Sequence, residues 1–133
     1  MRIVLDTNVL IAALLARGTC HELLEHCVVR HELITSEFIL HELRQKLVEK
    51  FKYPDALSDE AIAVLRSRMK VITPSSLAIP VCRDGDDDNI LAVAVDASSD
   101  FIITGDNDLL VLHPYEAVAI LSPRAFLDVE GVE

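Results

Sequence analysis

Apolar and polar positions along the chain alternate between two rhythms. Short runs rich in β-branched residues give way to longer stretches whose apolar residues recur every three or four positions, so strands alternate with helices. The first run, Ile3-Val4-Leu5, stops at Asp6 and leads into Val9–Ala16, a buried helix with Thr7 or Asn8 as its N-cap. Arg17-Gly18 breaks that helix. In Thr19–Val29, residues Cys20, Leu23, Leu24, Cys27 and Val28 keep i, i+3, i+4, i+7, i+8 spacing, which predicts a second helix. Glu32–Thr35 is a short second strand. Ser36 is placed to cap a helix that runs to about Lys50 on the stripe Leu40, Leu43 and Leu47.

Beyond the loop at Tyr53-Pro54, Ser58 or Asp59 begins a helix with Ile62, Leu65 and Met69 on its inner face. Val71–Thr73 is a third strand, and Pro80 makes Leu77–Cys82 extended without defining a strand. Asp84–Asn89 opens the helix Ile90–Ala97, which is apolar nearly all round and therefore predicted to lie inside the core. Phe101–Thr104 is the fourth strand, Leu109–His113 a turn or short helix, and Ala117–Leu121 the fifth strand. Ser122-Pro123 caps a last short helix.

This alternation predicts one α/β domain over residues 1–133, with a parallel sheet of about five strands covered on both faces. Right-handed crossovers place every strand's carboxyl end on one edge, where ligands of open α/β sheets bind. Asp6 ends the first strand there and Asp106 follows the fourth. Glu42 falls in the second turn of the helix capped by Ser36. Asp88 falls in the first turn of the helix after the acidic run Asp84–Asp88.

Charge sharpens that picture. The chain carries 12 basic and 22 acidic residues, a net charge of -10, which by itself argues against binding a polyanion. Eight acids, however, fall in the stretches expected to converge (Asp6, Glu42, Asp84, Asp86, Asp87, Asp88, Asp106 and Asp108), and outside them acids and bases nearly balance. Two carboxylates about 4 Å apart repel by roughly 4 kcal/mol at an effective dielectric near 20. Protons or a multivalent cation must neutralise such a group. Donors that are all oxygen favour Mg²⁺ or Mn²⁺. A cation held there with open positions binds a phosphate oxygen and activates water, so an acidic protein then accepts a polyanion.

At this point the residues resemble a known family, the PIN domain. They are most similar to the small bacterial and archaeal members described as toxins of toxin–antitoxin pairs, the VapC-like nucleases. The resemblance rests on Asp6-Thr7-Asn8-Val9-Leu10, on Glu42, on Asp84 to Asp88 before Ile90-Leu91-Ala92, and on Thr104-Gly105-Asp106-Asn107-Asp108-Leu109. It covers almost the whole chain. It implies a three-layer α/β/α sandwich with strand order 3-2-1-4-5, and a metal-dependent endoribonuclease that leaves a 5′-phosphate and a 3′-hydroxyl. The cofactor it implies is Mg²⁺ or Mn²⁺. The implied partners are an RNA substrate and a small antitoxin protein, with a homodimer common in the family.

Carried over residue by residue, the resemblance makes Asp6 the central metal ligand. Glu42 and Asp88 bind the same ion directly or through water, and one of them orients or deprotonates the attacking water. Asp106 is the fourth acid, and Asn8 and Thr104 hold the carboxylates in position. Within the acidic turn, Asp88 fits the motif because it adjoins the apolar helix, with Asp84 as its i−4 companion; Asp87 remains an alternative. Asp108 reads as a supporting or exposed acid. The basic group Arg44, Lys46, Lys50 and Lys52 is a candidate guide for RNA and equally a solvated helix end.

Other readings compete. A calcium loop with Asp84, Asp86 and Asp88 at positions 1, 3 and 5 fails, since position 6 is Asn89 and position 12 is Val95. An aspartate-based phosphotransfer protein also places an Asp after its first strand. The dehalogenase type needs a second Asp where this chain has Asn8. A PIN-like protein that only binds a partner is the remaining alternative, against which the retained acids argue. Cys20, Cys27 and Cys82 lack metal-finger spacing and read as thiols of a reducing cytoplasm. His21, His26, His31, His41 and His113 share no spacing and read as surface or packing residues. Asp6 and Asn8 interrupt the early apolar run, which argues against a signal peptide, and no run is long enough to span a bilayer.

Overall fold

The computed structural model describes residues 1–75 and 81–132. Its elements run β1 (Arg2–Leu5), α1 (Thr7–Leu15), α2 (Thr19–Arg30), β2 (Glu32–Ser36), α3 (Glu37–Glu49), α4 (Asp55–Arg68), β3 (Lys70–Ile72), α5 (Gly85–Asp96), β4 (Phe101–Ile103), α6 (Asn107–Leu110), β5 (Ala119–Leu121) and α7 (Pro123–Val129). The sheet has the order β3-β2-β1-β4-β5, and every pairing is parallel. The α/β class and strand order are those expected.

The sheet is built around β1. A strand buried on both faces reads as a continuous apolar run, and Ile3, Val4 and Leu5 are all fully buried. Val4 pairs with Ile34 of β2 and with Ile102 of β4. From β1 the chain steps outward to β2 and β3, then returns past β1 to β4 and β5. Crossovers of one hand therefore place α1–α4 on one face and α5 on the other. On the first face α1 packs on α2 and α3, and α3 packs on α4. On the other, α5 packs across β1, β2 and β4, and Ile90 through Ala94 are all buried. Each large aliphatic side chain buried there contributes about 1.5–3 kcal/mol relative to exposure.

Helix starts explain where the observed elements differ from the expected ones. Ser36 Oγ accepts from the Ile39 amide at 3.2 Å, as anticipated, and Ser122 Oγ does the same for Ala125 ahead of α7. The N-cap of α1 is Asp6, not Thr7 or Asn8. Its carbonyl takes the Val9 and Leu10 amides while its side chain is used elsewhere. Helix α4 begins at Asp55, ahead of Ser58, because Pro54 at φ −58 turns the chain directly into the helix and Ser58 is buried within it. Helix α6 starts at Asn107, before Leu109, because Asp106 caps it. Strand β5 starts at Ala119, since Tyr115 and Val118 are bridged to each other ahead of it. Of the expected extended segment Leu77–Cys82, residues 77–80 lie outside the described residues; Val81 and Cys82 belong to no helix or strand.

Candidate metal centre

The register of the central strands sets the site. The pair Leu5 and Ile103 is the last in the β1–β4 ladder, and the Asp6 amide extends it by donating to the Ile103 carbonyl at 3.0 Å. Asp6 and Thr104 thus leave the sheet side by side. The Thr104 hydroxyl donates to Asp6 Oδ2 at 2.7 Å, and Thr104 Oγ1 in turn accepts from the Asp106 amide at 3.0 Å. Asp6 is 6% exposed and Thr104 fully buried. A backbone N–H, a hydroxyl and a carboxylate therefore form a fixed relay that holds the Asp6 side chain at the carboxyl rim of the sheet.

Around Asp6 stand other acids. Asp106 caps α6 through Oδ1, which accepts from the Asp108 amide at 2.9 Å. Donor oxygens of Asp87, Asp106 and Asp108 lie within 4.8 Å of one another. Glu42, on α3, reaches the rim beside Thr7 and Asp86. The Thr7 hydroxyl is buried beside Glu42 and favours the charged form of that carboxyl.

The electrostatics record the crowding. Burial raises the Asp6 pKa and the Asp106 charge adds to it, opposed by the Thr104 hydroxyl, the Thr7 amide and Lys46. Burial also raises Glu42, with Asp86 pushing the same way and Thr7 and Lys46 pulling back. Asp87 is pushed up to about 7, first by burial and then by Asp106, Asp6, Asp84 and Asp108.

The carboxyls of the acidic turn have different partners. Asp88 turns away from the cluster: its Oδ1 accepts from the Cys82 amide at 2.9 Å and the Val81 amide at 3.2 Å. Burial opposes its charge, yet those amides win and hold its pKa below the usual value. Asp87 faces Asp106 and Asp6 instead. Asp84 caps α5, accepting from the Asp86 amide at 3.0 Å. Asn8 is exposed in the first turn of α1. Asp108 carries Arg83 at 2.7 Å, a contact sequence reasoning did not anticipate. Of the basic group, Arg44 binds Asp59 of α4, Lys46 faces Glu42 and Asp6, Lys50 sits over the Phe51 ring, and Lys52 is exposed.

A family model described as the PIN domain matches residues 2–108. The chain belongs to the PIN domain family. The matched segment runs from β1 to Asp108, so it contains every acid of the rim. Among solved structures, this PIN domain is similar to VapBC2 from Rickettsia felis bound to a DNA fragment from the promoter, with 15% identity, a TM-score of 0.67 and coverage of 92% of this chain and 98% of that one. It is also similar to VapBC-1 from nontypeable Haemophilus influenzae (18% identity, TM-score 0.67, coverage 93% and 99%). Mycobacterium tuberculosis VapC20, a toxin that cleaves the sarcin–ricin loop, matches at 17% identity and a TM-score of 0.59, over 80% of this chain and 91% of its own. At such identities the likeness is one of fold. No curated protein matches the chain in sequence.

The donor set of the rim suits a hard divalent cation. Its donors are all oxygens: those of Asp87, Asp106 and Asp108 lie together, Asp6 stands near Asp106, and Glu42 reaches the rim beside Thr7 and Asp86. Such a set matches Mg²⁺ or Mn²⁺ and lacks the nitrogen or sulfur that zinc favours.

Proposed function

We propose that this PIN domain is a Mg²⁺- or Mn²⁺-dependent endoribonuclease and the toxin of a toxin–antitoxin pair. The single observation carrying the reading is that carboxyls far apart in the chain meet at one rim, where the charge of Asp106 raises the proton affinity of both Asp6 and Asp87. Asp6 is the anchoring ligand, held by Thr104. Asp87 takes the position that the family motif suggests for Asp88, and Asp106 and Glu42 complete the set, with Asp84 and Asp108 supporting it.

A divalent cation bound here supplies positive charge to the scissile phosphate and a more acidic water. The chain's own groups do the rest. The Thr104 relay keeps the Asp6 carboxylate from rotating. Glu42, its proton affinity raised by burial, accepts a proton from the attacking water. Attack at phosphorus expels the 3′-oxygen, which takes a proton from solvent, leaving a 5′-phosphate and a 3′-hydroxyl. Lys46, facing Asp6 and Glu42, offsets part of the negative charge that RNA would otherwise meet. We place the protein in the cytoplasm as a homodimer, with RNA as its substrate and a small antitoxin protein as its partner. No helix among the described residues is long and apolar enough to cross a membrane.

The test is cleavage of structured and single-stranded RNA by protein freed of any antitoxin. Mg²⁺ or Mn²⁺ should support cleavage with 5′-phosphate ends, and a chelator or Asp6→Asn should abolish it. Equal cleavage by Asp6→Asn, or none by the parent at saturating Mn²⁺, would remove the reading.

A further inference from the structure

The opposite rim of the sheet, where β1 and β2 begin, gathers a second group of donors. His26 lies in the second half of α2, His31 joins α2 to β2, and Glu130 ends α7. His26 Nε2 is 3.0 Å from Glu130 Oε1, and His31 Nε2 meets the same oxygen. One donor atom from each of the three lies within 4.8 Å of the other two. The side chains are 19%, 9% and 18% exposed, so this is no chance meeting of surface groups. The two imidazoles stand edge to face at 66°, aiming at a shared corner and not stacking. The Phe126 ring braces His31 from behind.

We propose that His26, His31 and Glu130 form a Zn²⁺ site that clips α7 to α2 and to the head of β2, with a fourth position open to water. Two imidazole nitrogens and one carboxylate oxygen are a recognised zinc donor set, whereas Mg²⁺ and Ca²⁺ take oxygens. The residues come from positions 26, 31 and 130, so only the folded chain assembles the site, and bound metal adds to folding stability. Both Nε2 atoms give up their hydrogens on loading. Each hydrogen is then carried on Nδ1, and in His31 that atom lies 3.3 Å from the Met1 amino group. Cys27 faces the core, fully buried, and is not the fourth ligand. Glu130 lies outside the segment matched by the family model.

The site is independent of the acidic rim, and the test keeps the two apart. Tag-free full-length protein in excess Mg²⁺ is titrated with Zn²⁺ by calorimetry and with Co²⁺ by absorption. The expected result is one equivalent of Zn²⁺ bound at micromolar concentration or below, a zinc-dependent rise in Tm, and the intense visible bands of tetrahedral Co²⁺. His26→Gln and Glu130→Gln should each weaken Zn²⁺ at least ~10-fold, while Asp87→Asn binds it as the parent does. Parental affinity in both His26→Gln and Glu130→Gln, loss in Asp87→Asn, or no Zn²⁺ on the folded parent would overturn the site. Should a variant fail to fold, X-ray absorption on the zinc-loaded parent decides: two imidazoles support the proposal and fewer overturn it.

Discussion

The two rims of one sheet handle charge in opposite ways. At the amino rim each charged group meets its complement. Arg2 donates its amide to Asp100 and its guanidinium to the Ala97 carbonyl, while Glu130 is held below its usual pKa by hydrogen bonds from His26 and His31. At the carboxyl rim, Asp6, Glu42 and Asp87 are all raised, burial first and neighbouring acids behind it. Asp88 shows that this is a matter of direction and not of composition. It sits one residue from Asp87, finds two backbone amides, and is lowered. Folding thus pairs the charges of one rim with hydrogen-bond partners and leaves the acids of the other crowded against one another, a pattern that clusters at functional sites.

The sharpest break of that comparison sets Asp87 against Asp88. Asp87→Asn should reduce RNA cleavage by more than the ~10–100-fold typical of outer metal partners. Asp88→Asn keeps an oxygen for the Cys82 and Val81 amides and should retain most activity. The reverse ranking, measured as kcat/KM on one RNA, would show that the turn presents the other acid. Thr104→Val comes next. It removes the donor to Asp6 and the acceptor for the Asp106 amide at constant shape, so cleavage should fall roughly 10–100-fold. A melt should show a loss of about 1.5–3 kcal/mol for the buried bond to a charged group.

A smaller effect is the pH dependence of metal-free protein. Asp87 rises from the usual 3.8 to about 7 in the fold. Between those values the folded chain binds more protons than the unfolded one, so stability falls as pH rises from about 4 to about 7 and the loss is complete above that. Partial exposure to solvent reduces its size. Denaturant melts of parent and Asp87→Asn across this window should converge at low pH and separate at neutral pH, the variant being the more stable. The least effect belongs to Ser36→Ala, which should lose about 1 kcal/mol of stability through the α3 cap while leaving the acids in place.

The parallel α/β sheet and the rim's location were legible because they follow from the alternation of elements and from Asp6 and Asp106 following their strands, whereas the strand order was implied by the resemblance to the PIN domain. The Ser36 and Ser122 caps were legible for the same local reason. The choice within Asp84–Asp88 was not, since a run of near-identical residues has no pattern. Its facing depends on the helix starting at Gly85, and each later residue then turns by about 100°. Helix α4 was placed too late because Ser58 and Asp59 look like caps, whereas Pro54 already sets the turn. Reading His26 and His31 as unrelated failed for another reason. What unites them is Glu130, about a hundred positions away, which neither periodicity nor spacing reports.

The central claim, that the carboxyl rim is a cation site built from mutually repelling acids, is met most directly by a Mn²⁺ thermal shift at neutral pH on parent and Asp87→Asn. The account predicts that metal-free Asp87→Asn melts above the metal-free parent, and that Mn²⁺ raises the parent's Tm and leaves the variant's nearly unmoved. A variant that melts lower without metal and still gains the parent's full shift from Mn²⁺ would contradict it.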